Sequence, residues 1–294
     1  MKKSKDGFNR RGVRRVRDVP GMQTIMCHLY PNRTDCEVCL QDTLDITELL
    51  KYIERKNAEH PEYKTTVFHC FIATLARMIV ERPVLNRFVQ GRRIYERQKI
   101  SFSFVAKRRF ADGAEEALIL LLPNGDDTLD SISRKICGDV RETRKSEHST
   151  GGIDATLDAF GKLPRLLLMA VVRIARWMDF WGIVPKALKR GDPNYSTVLI
   201  SNLGSIGIPA VYHHLNNYGT NSIMMTVGTI HKEERLMPDG HKELRDVVDF
   251  SAILDERIGD GFYFGRSLKL LRYIFANPEI LDLPLSQHSG YDYK

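Results

Sequence analysis

LDERIGDGFYFGRSLKLLRYIFANPEIL, residues 254–281, packs a strand end, a charged turn and a helix into one short stretch. Residues 246–254 are extended in character and close on Leu254, and Asp255, Glu256, Arg257 and Asp260 then cluster around Gly259 and Gly261. Apolar residues from 262 to 275 recur at helical spacing, so the chain should close on a helix there. Working outward, further strands are expected near 196–201 and 222–229. An amphipathic helix is expected over 164–181, where Leu167, Val171, Ile174, Met178 and Trp181 share a face that could clasp a partner or a membrane surface but is expected to point into the core. Toward the amino terminus, residues 36–46 read as strand and Thr47 as the cap of a helix running through Ile53. Residues 65–81 form a helix with one broad buried face, ended by Pro83. Strands follow at 100–106 and 117–122, then a turn at Pro123-Asn124-Gly125-Asp126, a polar helix near 128–147 and a break at Ser149–Gly152. Helices and strands without a regular alternation indicate an α+β fold with a mixed sheet.

The composition, 43% hydrophobic and 28% charged over 294 residues, is that of a folded globular chain. Most of the net charge of +7 lies in residues 1–19, where eight basic residues meet two acidic ones. We therefore expect a basic arm over 1–22 and one domain over 23–294, the latter nearly neutral and not a nucleic-acid-binding face. No apolar stretch follows the basic run as in a signal peptide, and none reaches the ~20 residues of a membrane span. A cytoplasmic protein without a membrane partner is expected, and five cysteines suit free thiols in a reducing compartment. Cys36 and Cys39 fall in strand-like sequence, where residues three apart point to opposite faces, so no metal site is expected.

Residues 193–231 contain no Lys, Arg, Asp or Glu, although charged residues make up 28% of the chain. Such a run should be buried. Its Ser, Asn, Gly, Thr and His content suits the wall of a polar cavity or a subunit interface.

Three pieces together carry a resemblance: ARMIVERPVLNRFVQGRRIYERQKISFSFVAKR (76–108), STVLISNLGSIG (196–207) and the closing 254–281 stretch. In this order they resemble the chloramphenicol acetyltransferase-like fold shared with the catalytic core of 2-oxoacid dehydrogenase acyltransferases. The resemblance covers most of the chain. It implies a two-layer α+β sandwich forming a homotrimer, with active sites between subunits and acyl-CoA as co-substrate without a bound cofactor. The acceptor would be a small molecule carrying a hydroxyl, thiol or amine. The family's lipoyl and subunit-binding modules are not expected ahead of the core, so a free CoA thioester is the natural donor.

In that family a His in a D-H-R-x-x-D-G motif takes the acceptor proton and a hydroxyl donates to the oxyanion. Here Asp255, Arg257, Asp260 and Gly261 match the motif, and Ser201, followed by Asn202 in SNLG, matches the oxyanion position. Asp260 is expected to orient the turn through an ion pair. The His position holds Glu256. A carboxylate with its ordinary pKa near ~4.3 is poorly matched to deprotonating an alcohol or thiol, and loss of the base costs roughly 10²–10⁴-fold. Three readings remain open: Glu256 as a base with a raised pKa, His213 or His214 as a substitute base, or a catalytically impaired trimer that binds or scaffolds. Walker A, H-E-x-x-H and G-x-S-x-G motifs do not occur, which disfavours phosphoryl transfer, zinc hydrolysis and α/β-hydrolase chemistry.

Overall fold

The computed structural model describes residues 12–107, 116–145, 161–189 and 192–293. Most of the basic run and the expected break at Ser149–Gly152 lie outside the described residues. The strands are β1 (Val13–Arg15), β2 (Glu37–Asp45), β3 (Arg87–Gln90), β4 (Arg93–Arg97), β5 (Phe102–Lys107), β6 (Glu116–Leu121), β7 (Val198–Asn202), β8 (Ile223–Leu236) and β9 (Lys242–Asp255). The helices are α1 (Gly21–Leu29), α2 (Thr47–Glu59), α3 (Val67–Glu81), α4 (Leu129–Lys145), α5 (Arg165–Trp181), the single turn α6 (Lys186–Lys189) and α7 (Gly261–Ala276).

Six strands form one mixed sheet in the order β2-β9-β8-β7-β5-β6. β7 runs parallel to both its neighbours, β8 and β5, and the other pairs are antiparallel. The fold is therefore α+β with a mixed sheet, as the pattern of elements indicates. Alternate residues point to opposite faces, and Ile200, Met225, Phe250 and Ala252 join the main core on one face. Helices α2, α3, α4 and α7 supply the other half of that core. Phe71 of α3 sits between Phe250 of the sheet and Phe275 of α7, with ring centroids 5.9 Å and 4.8 Å away. Truncating it to Ala would cost about 3–5 kcal/mol. At the end of α3, Arg82 donates to Ser267 Oγ at 2.7 Å and stacks 3.8 Å over the Tyr263 ring. That contact fixes the start of α7.

The other face of the sheet carries a smaller apolar cluster, Leu199, Met224 and Ile253, closed by Leu215 from the β7–β8 connection. The uncharged run thus forms the cover of this face, but it is not buried throughout. Residues 196–198 and 219–228 are buried, whereas 205–209 and 211–214 face solvent, including Ile206, Ile208, Val211 and Tyr212. Absence of charge reports compatibility with burial, and nothing among the described residues covers the middle of this segment.

Four other expectations change. Thr47 opens α2 without capping it: Asp45 Oδ1 accepts from Thr47 N at 3.0 Å, and the Thr47 hydroxyl accepts from Asp246 N. The β8–β9 hairpin runs far beyond 229 and 246, as a charged ribbon whose alternation is polar on both sides, with Lys232–Asp246 at 3.0 Å and Lys242–Glu234 at 3.1 Å. The β3–β4 hairpin, which no apolar alternation announces, turns at Gly91-Arg92 with φ of 59° and 60°. These are the left-handed angles of a type I′ turn, here with Arg where Gly or Asn is usual. It joins β1 in a small antiparallel sheet, β1-β4-β3, and α1 begins at Gly21, so a division at 22/23 would fall inside a helix.

The fourth change is the largest. Helix α5 does not present its apolar face to the core: Leu167, Ile174 and Trp181 are exposed, and Asp179 is the helix's one buried residue. Helical spacing of apolar residues establishes that a face exists, and neighbouring elements determine whether anything meets it.

Candidate active site

The turn after β9 is built on a buried charge cluster. Asp255 is fully buried and takes a two-pronged ion pair from Arg257, Nε to Oδ1 and Nη2 to Oδ2, each at 2.8 Å. Its Oδ1 also accepts from Arg257 N. A second buried guanidinium, Arg33, lies 3.9 Å from Asp255 Oδ2. Burial opposes the Arg257 charge, but its hydrogen bonds to Asp255 more than offset that and hold its pKa above the ordinary value. Burial pushes Arg33 below its ordinary value, against the pull of Asp255. Both arginines also donate to backbone, Arg257 to Tyr30 O at 2.8 Å and Arg33 to Val89 O, Asn216 O and Gly219 O, while Arg33 Nε has no hydrogen-bond partner among the described residues. The turn is thereby locked to the loop after α1 and to residues 216–219 of the uncharged run.

Within this frame Glu256 and Asp260 face solvent. Asp260 makes no ion pair among the described residues; its Oδ1 accepts from Tyr263 N at 2.7 Å as the N-cap of α7. Placing a carboxylate at a helix N-terminus suits the dipole there. The ion pair expected of Asp260 belongs instead to Asp255. Gly261 is the first residue of α7.

Ser201 lies near the end of β7, opposite Thr226 of β8, which is opposite Ser251 of β9. These three hydroxyl residues occupy one row on the face away from the helices. The Thr226 and Ser251 hydroxyls are 2.8 Å apart, and both reach Val211 O, at 2.7 Å and 2.6 Å. Asn202 caps the next turn, its Oδ1 accepting from Ser205 N at 3.3 Å. The backbone is close-packed here: a Cβ on Gly204 would stand 2.2 Å from Gly228 O, and one on Gly228 would stand 2.3 Å from Ala210 N.

Strand geometry separates Ser201 from Glu256 within one chain. Glu256 is five residues beyond Ser251, roughly 17 Å along the strand, and Ser201 is two strands from Ser251, roughly 10 Å across. The separation is about 19 Å. His213 and His214 lie on the segment linking the two ends, since Val211 O meets Ser251 while Leu215 N donates to Glu37 Oε1 at 2.5 Å, and Glu37 pairs with Asp255. Both imidazoles are exposed and stacked, with centroids 4.8 Å apart. Nδ1 of His213 lies 2.9 Å from His214 N and 3.2 Å from His214 O: accepting from the amide puts the ring proton on Nε2, and donating to the carbonyl leaves Nε2 unprotonated.

Two residues with no place in the sequence reading shape this region. Arg33 has no local signal, because Asn32-Arg33-Thr34 reads as an ordinary loop. Asp179 had one, as the only acid in an otherwise apolar and basic helix. Its Oδ1 accepts from Tyr195 OH at 2.8 Å and Gln90 Nε2 at 2.9 Å, and its Oδ2 from Gly219 N at 3.0 Å. Cys36 and Cys39 are both free, the first buried and the second exposed, and burial pushes the Cys36 thiol up to about 11.

The fold is that of chloramphenicol acetyltransferase and the dihydrolipoamide acetyltransferase core. A probable dihydrolipoamide acetyltransferase from Listeria monocytogenes superposes with a TM-score of 0.58 at 18% identity, over 90% of this chain and 95% of that one. The dihydrolipoamide acetyltransferase of Azotobacter vinelandii, studied for the role of a serine, a histidine and an asparagine in its catalytic mechanism, gives 0.60 at 15%, over 90% and 93%. A chloramphenicol acetyltransferase gives 0.53 at 10%, over 90% and 99%. No family model matches the sequence, and no curated protein sequence matches it.

Proposed function

We propose that the chain is a CoA-dependent acyltransferase working as a homotrimer, with each site assembled from Ser201 of one subunit and the 255–261 turn of the next. The observation that carries this reading is the placement of the two motif positions at opposite ends of one sheet, about 19 Å apart. A site holding both needs a second copy. The exposed, uncharged 205–214 segment, with Ile208 and Tyr212 turned outward, suits the face such a copy would cover.

In this reading the acceptor hydroxyl, thiol or amine gives its proton to the base as it attacks the thioester carbonyl. The Ser201 hydroxyl donates to the oxyanion that forms, and collapse of the tetrahedral intermediate expels CoA as its thiol once the proton is returned. Asp255, Arg257 and Asp260 position the turn; Glu256, exposed at its outer edge, holds the base position. His213 and His214 are the substitute bases; Nε2 of His213 serves as one in the tautomer whose Nδ1–H donates to His214 O.

The substitution of Glu for His favours a second reading, a trimer that binds a CoA ester without turning it over. Thiol release from acetyl-CoA and longer acyl-CoAs, measured against alcohol, amine and thiol acceptors, separates the two. In the catalytic reading Ser201→Ala lowers the rate about 10²-fold with the trimer intact, and Glu256→Gln abolishes it. Activity surviving in Glu256→Gln moves the base to the histidines, and binding without release from any donor establishes the second reading.

A further inference from the structure

Helix α5 turns outward an apolar arc that nothing among the described residues covers. Leu166, Ile174 and Trp177 are 81%, 57% and 58% exposed. At 3.6 residues per turn these three and Trp181 fall within about 80° of one another around the helix. Arg165, Arg173 and Arg176, all exposed, line one flank of that arc. The inward side is occupied by Leu168, Val171 and Ala175, and the helix is pinned to the body at its far end by the Asp179 hydrogen bonds. Asp179 is the sole acid between 161 and 189, and it is buried, so the arginine flank has no carboxylate of its own helix to meet.

We propose that α5 lies in the plane of an anionic phospholipid surface, its tryptophans and aliphatic side chains in the headgroup boundary and its arginines on the lipid phosphates and carboxylates. An outward apolar arc flanked by cations is the pattern of an interfacial helix. Seventeen residues with three arginines are too short and too charged to span, and among the described residues no helix is long and apolar enough to cross a membrane. A second copy of α5 packed antiparallel is a poor occupant, because it would bring a like-charged flank against this one. The proposal is independent of the acyltransferase reading.

The chain's two tryptophans, Trp177 and Trp181, both sit on α5, so intrinsic tryptophan emission reports this helix alone. The full-length protein is titrated with phosphatidylcholine vesicles and with two-to-one phosphatidylcholine–phosphatidylserine vesicles. We expect solvent-exposed emission in buffer, a blue shift with the phosphatidylserine vesicles, quenching by brominated acyl chains, and reversal by salt. Removing both charges in Arg173→Gln/Arg176→Gln should weaken partitioning about 30-fold, on the basis of ~1 kcal/mol per cation at an anionic surface. No shift with either vesicle overturns the proposal, as does equal binding to both. Emission already blue in lipid-free protein and unmoved by vesicles also overturns it, and identifies a protein surface, a second copy included, as the cover of α5.

Discussion

At the β9 end of the central sheet, Asp255, Arg257 and Arg33 close on one another and on five backbone carbonyls of the same chain. At the β7 end, Ser201 stands in a row with Thr226 and Ser251 beneath a loop whose Ile206, Ile208, Val211 and Tyr212 face solvent. The charges of the first end find their counter-charge within one chain, because a buried charge without one is costly. The second holds neutral hydroxyls, two of which, Thr226 and Ser251, already reach one backbone carbonyl, so it can leave its outer surface open at little cost. A motif can therefore be rigid without its reactive position being enclosed: Glu256 sits between two buried residues and is itself exposed.

The largest test of this contrast is Asp255→Ala, which strands two buried guanidinium groups. A loss of about 3–5 kcal/mol is expected in denaturant unfolding, and a loss below about 1 kcal/mol would show that the triad does not hold the turn. Acid should act through the helix layer instead of either end of the sheet. His69 is buried, and its pKa is pushed down to about 4. The unfolded chain takes up that proton near pH ~6.5, so stability should fall as pH drops below that value and level off near pH ~4, by about 3 kcal/mol in all. His69→Gln should remove that dependence; an unchanged profile would place the acid sensitivity elsewhere. Asp260→Ala removes one helix cap and should cost about 1 kcal/mol, with Asp260→Asn nearly neutral. An equal loss in both would mean that the carboxylate charge matters more than the cap. The smallest effect on stability belongs to Tyr212→Ser, within about 0.5 kcal/mol. Its expected signature is self-association displaced to higher protein concentration in sedimentation, and an unchanged association profile would remove the 205–214 segment from the interface.

Periodicity made the helix layer legible: α3 and α7 fall where apolar residues recur at three and four, and β5 where they alternate. The turn motif was legible too, down to which residues match a D-H-R-x-x-D-G pattern. What stayed hidden depends on distant partners. Arg33 meets Asp255 across more than two hundred residues, a contact that no local spacing encodes. The carboxylates at 255 and 260 look interchangeable in sequence, and only the buried arginines on one side and the exposed helix terminus on the other assign ion pair and cap. The Gly91-Arg92 hairpin was missed because its turn uses an Arg at positive φ. Helix α5 shows the complementary failure, a strong periodic signal whose partner is not in the described chain.

Strand β2 forms one margin of the central sheet and is bonded only to β9, with Glu37 opposite Asp255. During synthesis the first of these strands therefore leaves the ribosome some two hundred residues before the second exists. For that interval β2 carries a full row of unanswered backbone groups, an opening for chaperones and for mispairing alike. Completion of the sheet must wait for β9, and folding should be slow because strands so far apart in sequence must find each other.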